Sequence, residues 1–137
     1  MIEAPPETVW SVLVDVVRHQ EWSDSFVLRG MPERGARARV GFWVAGRALS
    51  HPVAIEVVEP PRRLEWSGGP RGLISGRHFF SLEPADEQGM RTSFVHGETF
   101  AGAAVGVLWP LLMWALGPSY DRFNEQLKRR VEADGSL

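Results

Sequence analysis

Three residues near the end of this chain have the types and spacing to do chemistry: His78, His96 and Glu98. His96 and Glu98 lie in "SFVHGETFAG", residues 93–102, which reads as a β-strand running into a helix. With a period of two, Phe94, His96, Glu98 and Phe100 share one face, and Ser93, Val95, Gly97 and Thr99 the other. A face carrying two phenylalanines does not belong in water. A histidine and a glutamate do not belong in a packed core without partners. A partly wet, mostly apolar cavity suits all four.

His78 joins them from the preceding strand, within "GRHFFSLEP". "PADEQG" links the two segments, which should pair as a hairpin. With Phe80 opposite Phe94, His78 falls opposite His96 and Gly76 opposite Glu98; sliding by two puts His78 against Phe94 instead. In both registers two imidazoles and a carboxylate approach one another on one face.

That cluster has three uses. Glu98 could accept hydrogen bonds from the histidines or backbone and simply satisfy a polar corner. The cluster could orient a ligand through a hydroxyl, carbonyl or carboxylate, since ligand pockets are mainly apolar with a few placed polar groups. Or a histidine titrating near neutrality beside a carboxylate could move protons, with His96 and Glu98 the catalytic candidates. Two histidines and a carboxylate are also a metal-ligand set. His-x-Glu on a strand is a weak motif, however, and no metal site or catalytic residue is assigned from it. "GGPRG" at 68–72 lacks phosphate-loop spacing, so no cofactor is expected.

Composition narrows the rest. The chain has 137 residues, 44% hydrophobic and 23% charged, which suits one domain with a real core. Net charge is −2 and the basic residues are scattered, which gives no footprint for nucleic acid. There is no cysteine, hence no disulfide scaffold or thiolate nucleophile, as suits a cytoplasmic protein. "MIEAPPETVW" has neither the basic start nor the apolar run of a signal peptide. From Thr99 to Tyr120 no charge occurs, a length able to span a bilayer. Gly102, Gly106, Pro110, Gly117 and Pro118 interrupt it and no basic cluster flanks it, so a helix closing a greasy cavity is expected rather than a spanning one.

The elements that position the cluster follow from periodicity. Pro5-Pro6 and Glu7 start a helix through "ETVWSVLVDV", and "RHQEWSDS" is a short second helix or turn. Strands are expected at 25–31, 36–45, 48–59, 63–67, 73–83 and 90–100, with short Gly/Pro-rich breaks that favour an antiparallel meander. Inner faces carry Ala38, Val40, Phe42 and Val44; Val53, Ile55 and Val57; Leu64 and Trp66; Ile74, His78, Phe80 and Leu82; Phe94 and Phe100. Val105, Trp109, Leu112, Leu116, Tyr120, Phe123, Leu127 and Val131 make a stripe of three- and four-residue steps. The stripe keeps its phase across Gly117-Pro118, which predicts one long helix kinked there. Its first half is apolar nearly all round, so Trp114 and its neighbours need a second cover. Homodimerisation and peripheral membrane contact are both open.

This order of elements resembles the helix-grip fold of the START/SRPBCC superfamily, nearest its polyketide cyclase/dehydrase-like branch. The likeness rests on "IEAPPETVWSVLVDVVRHQEW", "VVEPPRRLEWSGG", "GRHFFSLEP" and "FVHGETFAG", followed by a helix ending "FNEQLKRRVEA". It implies a single α+β domain over 1–137, with 134–137 a tail. A curved antiparallel sheet wraps the long C-terminal helix, two short helices precede it, and a hydrophobic cavity lies between. It also implies a full strand before "IEAP"; only Met1-Ile2-Glu3 stand there, so either that strand is truncated or the true start lies earlier.

The expected function is binding of a small hydrophobic ligand (a lipid, polyketide or other apolar metabolite). Its wall would be Phe42, Trp66, His78, Phe80, Phe94, His96, Glu98, Phe100, Trp109 and Leu112. Two alternatives stand beside it. One is a cyclase, aromatase or dehydratase using His96 or Glu98 for proton transfer. The other is an interaction module docking through the apolar half of the last helix.

Overall fold

Proline at the first turn fixes φ where no donor is needed, and helix α1 accordingly runs Pro6–Val14 in the computed structural model, which describes residues 1–70 and 72–135. Arg71 of the "GGPRG" break and residues 136–137 of the expected tail lie outside the described residues. A single 3-10 turn, Val16–Arg18, leads into helix α2, His19–Trp22. Among the described residues six strands follow: β1 Phe26–Arg29, β2 Arg37–Val44, β3 Arg47–Glu59, β4 Arg63–Gly68, β5 Ser75–Pro84 and β6 Thr92–Ala101. They form one antiparallel sheet in chain order, as the short connections require. Helix α3, Val105–Gly135, closes the molecule and includes Asp134 and Gly135.

The sheet curves around α3 and carries one apolar face, as α+β helix-grip architecture demands. Phe26, Ile55, Leu64, Phe80 and Leu82 meet Phe123, Leu127 and Val131 of α3 there, each essentially inaccessible to solvent. Phe123 stacks on Phe26 with ring centroids 4.2 Å apart. Burying such a side chain contributes about 1.5–3 kcal/mol. His19, which shares the sequence stretch with Trp22, is part of this packing: Nε2 lies 2.7 Å from the Leu13 carbonyl and Nδ1 accepts from the Leu28 amide at 3.3 Å.

Only the second half of α3 is packed this tightly. The helix passes unbroken through Pro110 and Pro118. Along its first half the stripe residues Leu112, Leu116 and Tyr120 are only half-buried, and Val107 and Trp114 are 83% and 69% exposed. The helix is anchored at one end and stands off the sheet at the other. No described helix is long and apolar enough to cross a membrane.

Two details depart from the sequence reading. A bulge in β3 sets Ile55 opposite Trp66 but Val57 opposite Glu65, so Val57 turns to the outer face and Val58 packs on the core instead. The β5–β6 hairpin is centred one residue later than expected. Ala85 and Arg91 still pair, Asp86 Oδ1 accepts the Met90 amide at 2.8 Å, and Gly89 takes a φ of +66°. The register therefore matches neither expected pairing and slides by two the other way, with His78 opposite Glu98, Phe80 opposite His96, and Leu82 opposite Phe94. At the N-terminus, Ile2 exchanges two 2.9 Å backbone hydrogen bonds with Thr92 in a β-bridge, and Thr92 Oγ1 donates to the Ala4 carbonyl at 2.6 Å.

Candidate functional site

Where α3 stands off the sheet a cavity of about 280 Å³ remains. Two glycines make the room. Gly68 and Gly76 are register partners on neighbouring strands, at positions that point inward like Trp66 and His78. A β-carbon at Gly68 would meet the His51 ring at 3.1 Å; one at Gly76 would come within 2.5 Å of Glu98 Oε1. A broader and more polar hollow of about 870 Å³ lies on the other side of the sheet along Arg37, Glu56, Ser67 and Arg77, backed by the same glycines.

Of the residues picked out from sequence, Phe42, Trp66, His78, Glu98, Phe100 and Leu112 line the cavity. Phe80 and His96 stand deeper, beside Phe123, with centroids 5.6 Å from its ring. Phe94 packs on Phe80 at 5.6 Å. Trp109 lies at the rim, 44% exposed, its ring edge-on to Phe100 at 6.1 Å. The wall also takes residues that sequence reasoning did not assign to it: Phe26, Val53, His51, Gly76 and Tyr120. Tyr120 had a signal, being the sole tyrosine and on the helical stripe; the glycines had none beyond strand parity.

The polar corner is a chain of side chains. Trp66 stacks on His78 at 4.5 Å with an interplanar angle of 3°. His78 Nε2 lies 2.6 Å from His96 Nε2, and His96 Nδ1 lies 2.7 Å from Asn124 Oδ1 of α3. On the cavity side His78 Nδ1 faces Glu98 Oε2 at 3.5 Å, and Tyr120 donates its hydroxyl hydrogen to that oxygen.

Electrostatics follow from burial. His78 is enclosed and its pKa falls to about 3, because desolvation penalises the imidazolium. His96 falls to about 3 for the same reason, with His78 as a second, repulsive cause. Burial raises Glu98 to about 7. The His78–Glu98 contact therefore joins a neutral imidazole to a carboxyl that is neutral below about pH 7, and is not an ion pair. The group that titrates near neutrality is the carboxyl rather than either imidazole. Such an arrangement can hold or release one proton at the cavity wall and can present a hydrogen-bond acceptor there. The described residues form no cluster of three or more metal-ligating side chains.

A six-stranded antiparallel sheet gripping one long helix, with an apolar cavity between them, defines the class: an α+β helix-grip domain. Residues 1–132 match the family model described as "Polyketide cyclase / dehydrase and lipid transport", and the chain belongs to that family. Comparison with curated proteins finds no match. Among solved structures, TTHA0849 from Thermus thermophilus is similar over 97% of this chain and 93% of its own, with 20% identity and a TM-score of 0.71. A Rhodobacter sphaeroides protein is similar over 97% and 88%, with 17% identity and a TM-score of 0.72. The Staphylococcus aureus protein SA2116 is similar over 100% and 92%, with 8% identity and a TM-score of 0.71. At these identities the likeness is one of fold.

Proposed function

We propose that this domain binds a small, largely apolar molecule between its sheet and α3. The observation that carries the reading is the apolar cavity of about 280 Å³ beside Gly68 and Gly76, with a polar corner at Glu98. That volume sits at the lower edge of the roughly 300–1,000 Å³ usual for ligand sites. The wall contributes about 25 cal/mol per Å² of apolar ligand surface removed from water, and the polar corner sets the orientation. Native mass spectrometry of protein purified from its own host tests it. A co-purifying small molecule, displaced by naphthalene and lost when Gly76 is replaced by a bulky residue, is expected. A folded protein that neither carries a molecule nor takes up naphthalene would sink the proposal.

A second reading has an observation of its own. Glu98 lines the cavity with a pKa of about 7, poised to give a proton to a bound ligand, as cyclisation or dehydration requires. In that case Glu98 is the acid, and His78 rather than His96 is the imidazole in direct contact with it. If Glu98→Gln abolishes turnover of a polyketide-like substrate while leaving its affinity unchanged, this reading gains over simple binding. The exposed α3 face at Val107, Leu111 and Trp114 supports a contact surface in addition, for a second copy or a membrane surface.

A further inference from the structure

The polar corner has a direction. An amide oxygen only accepts, so His96 Nδ1, 2.7 Å from Asn124 Oδ1, carries the hydrogen. A neutral imidazole has one N–H, which leaves His96 Nε2 an acceptor. His78 Nε2, 2.6 Å away, donates to it, and His78 Nδ1 is bare. That bare nitrogen faces Glu98 Oε2, and the one hydrogen of the acid form goes there. Oε2 also takes the hydroxyl hydrogen of Tyr120. Oε1 is left with lone pairs alone. Whether Glu98 is protonated at Oε2 or ionised, its other oxygen can only accept.

This oxygen is the one that meets the cavity. It lies over Gly76, so close that a β-carbon there would come within 2.5 Å of it, and no side chain stands between. Among the described residues no donor reaches it: the Tyr120 hydroxyl is spent on Oε2. Around Glu98, β5 contributes His78, α3 contributes Tyr120, and β3 contributes His51 across the cavity; His96 precedes it on β6, one inward position away. β1, β2 and β4 present Phe26, Phe42 and Trp66. No lysine or arginine lines the cavity among the described residues.

Building on the cavity reading, we propose that the site selects uncharged apolar ligands whose polar end is a hydroxyl, alcohol or phenol, which donates to Glu98 Oε1. A bound hydroxyl gives this oxygen the hydrogen that the protein does not supply. An ether or ketone would set lone pair against lone pair and leave both acceptors unmet. A carboxylate would be buried with no cation to balance it, which is costly. An ammonium group fares no better below about pH 7, where burial keeps Glu98 in its acid form and no counter-charge exists.

Three matched probes test this by equilibrium dialysis: naphthalene, 2-naphthol and 2-methoxynaphthalene. The ether is more apolar than the naphthol and would bind tighter on burial alone. The naphthol should nevertheless lead it by about tenfold, the scale of one hydrogen bond made against one left unmet. It should lead on both sides of about pH 7, because Oε1 accepts in either form, and by more on the alkaline side, where the acceptor is charged. Glu98→Met removes the acceptor at similar volume and should bring the naphthol-to-ether ratio to one or below. In Glu98→Gln the amide nitrogen can face His78 Nδ1 and the amide oxygen the cavity, so the preference should survive. The ether binding the unaltered protein as tightly as the naphthol, while naphthalene binds, would overturn the inference and leave the cavity reading standing. If none of the three binds the folded protein, both fall.

Discussion

The space above Gly76 belongs to Glu98: a β-carbon at this glycine would lie 2.5 Å from Glu98 Oε1 and 3.3 Å from the Phe100 ring. Gly76→Val therefore removes cavity and displaces the carboxyl together. Overpacking of this kind costs about 1–3 kcal/mol, so naphthalene affinity should drop by about tenfold or more. Cooperative urea unfolding should persist, because Gly76 lies in the wall of the void rather than in the packed core. Unchanged affinity would show that the ligand sits elsewhere.

The pH dependence of stability has a definite shape. His78 and His96 have folded pKa values of about 3 against an ordinary 6.5, so the unfolded chain binds more protons between those values. Stability should rise with pH across that window. Glu98 acts in the opposite sense: its folded pKa of about 7 exceeds the ordinary 4.5, so its contribution is present below 4.5 and is lost as pH rises through about 7. Unfolding free energy measured against pH should peak near the ordinary histidine value of 6.5. In Glu98→Gln the rise below the peak should be steeper and the fall above it absent.

Tyr120 gives Glu98 Oε2 a donor that favours the ionised carboxyl. Tyr120→Phe removes it without changing shape. The Glu98 pKa, followed by carbon-13 NMR of the carboxyl, should rise above about 7. A fall would mean that Tyr120 serves chiefly as an acceptor for the protonated acid.

The two halves of α3 should respond differently to mutation. Phe123 is fully buried against Phe26 and Phe80. Phe123→Ala should cost about 3–5 kcal/mol in urea unfolding. Trp114→Ser, at a residue 69% exposed, should stay within about 0.5 kcal/mol. Equal losses would mean that the exposed half is covered in solution.

Much of the scaffold was readable because it depends on local signals. Alternating apolar residues and Gly/Pro breaks placed all six strands in their order, and the three- and four-residue stripe placed α3 with Phe123, Leu127 and Val131 inward. Register was not readable in the same way. The β5–β6 hairpin turned on which loop residue took positive φ and which amide Asp86 capped. The β3 bulge that put Val58 rather than Val57 inside left no mark in the alternation. Parity also assigns a face but not a depth: His78 and His96 share a face, yet only His78 reaches the cavity.

By itself the amino-acid order determined that a one-faced meander would be covered by a helix, and that two imidazoles and a carboxyl would share the covered side. Both follow from periodicities of two and 3.6 residues, which any short window carries. Only the tertiary structure decided that the side-chain-free positions of Gly68 and Gly76 coincide beneath the lifted half of α3, and that Asn124 meets His96 across the interface. These relations join residues far apart in the chain, and distance between them is set by packing, which no local pattern encodes.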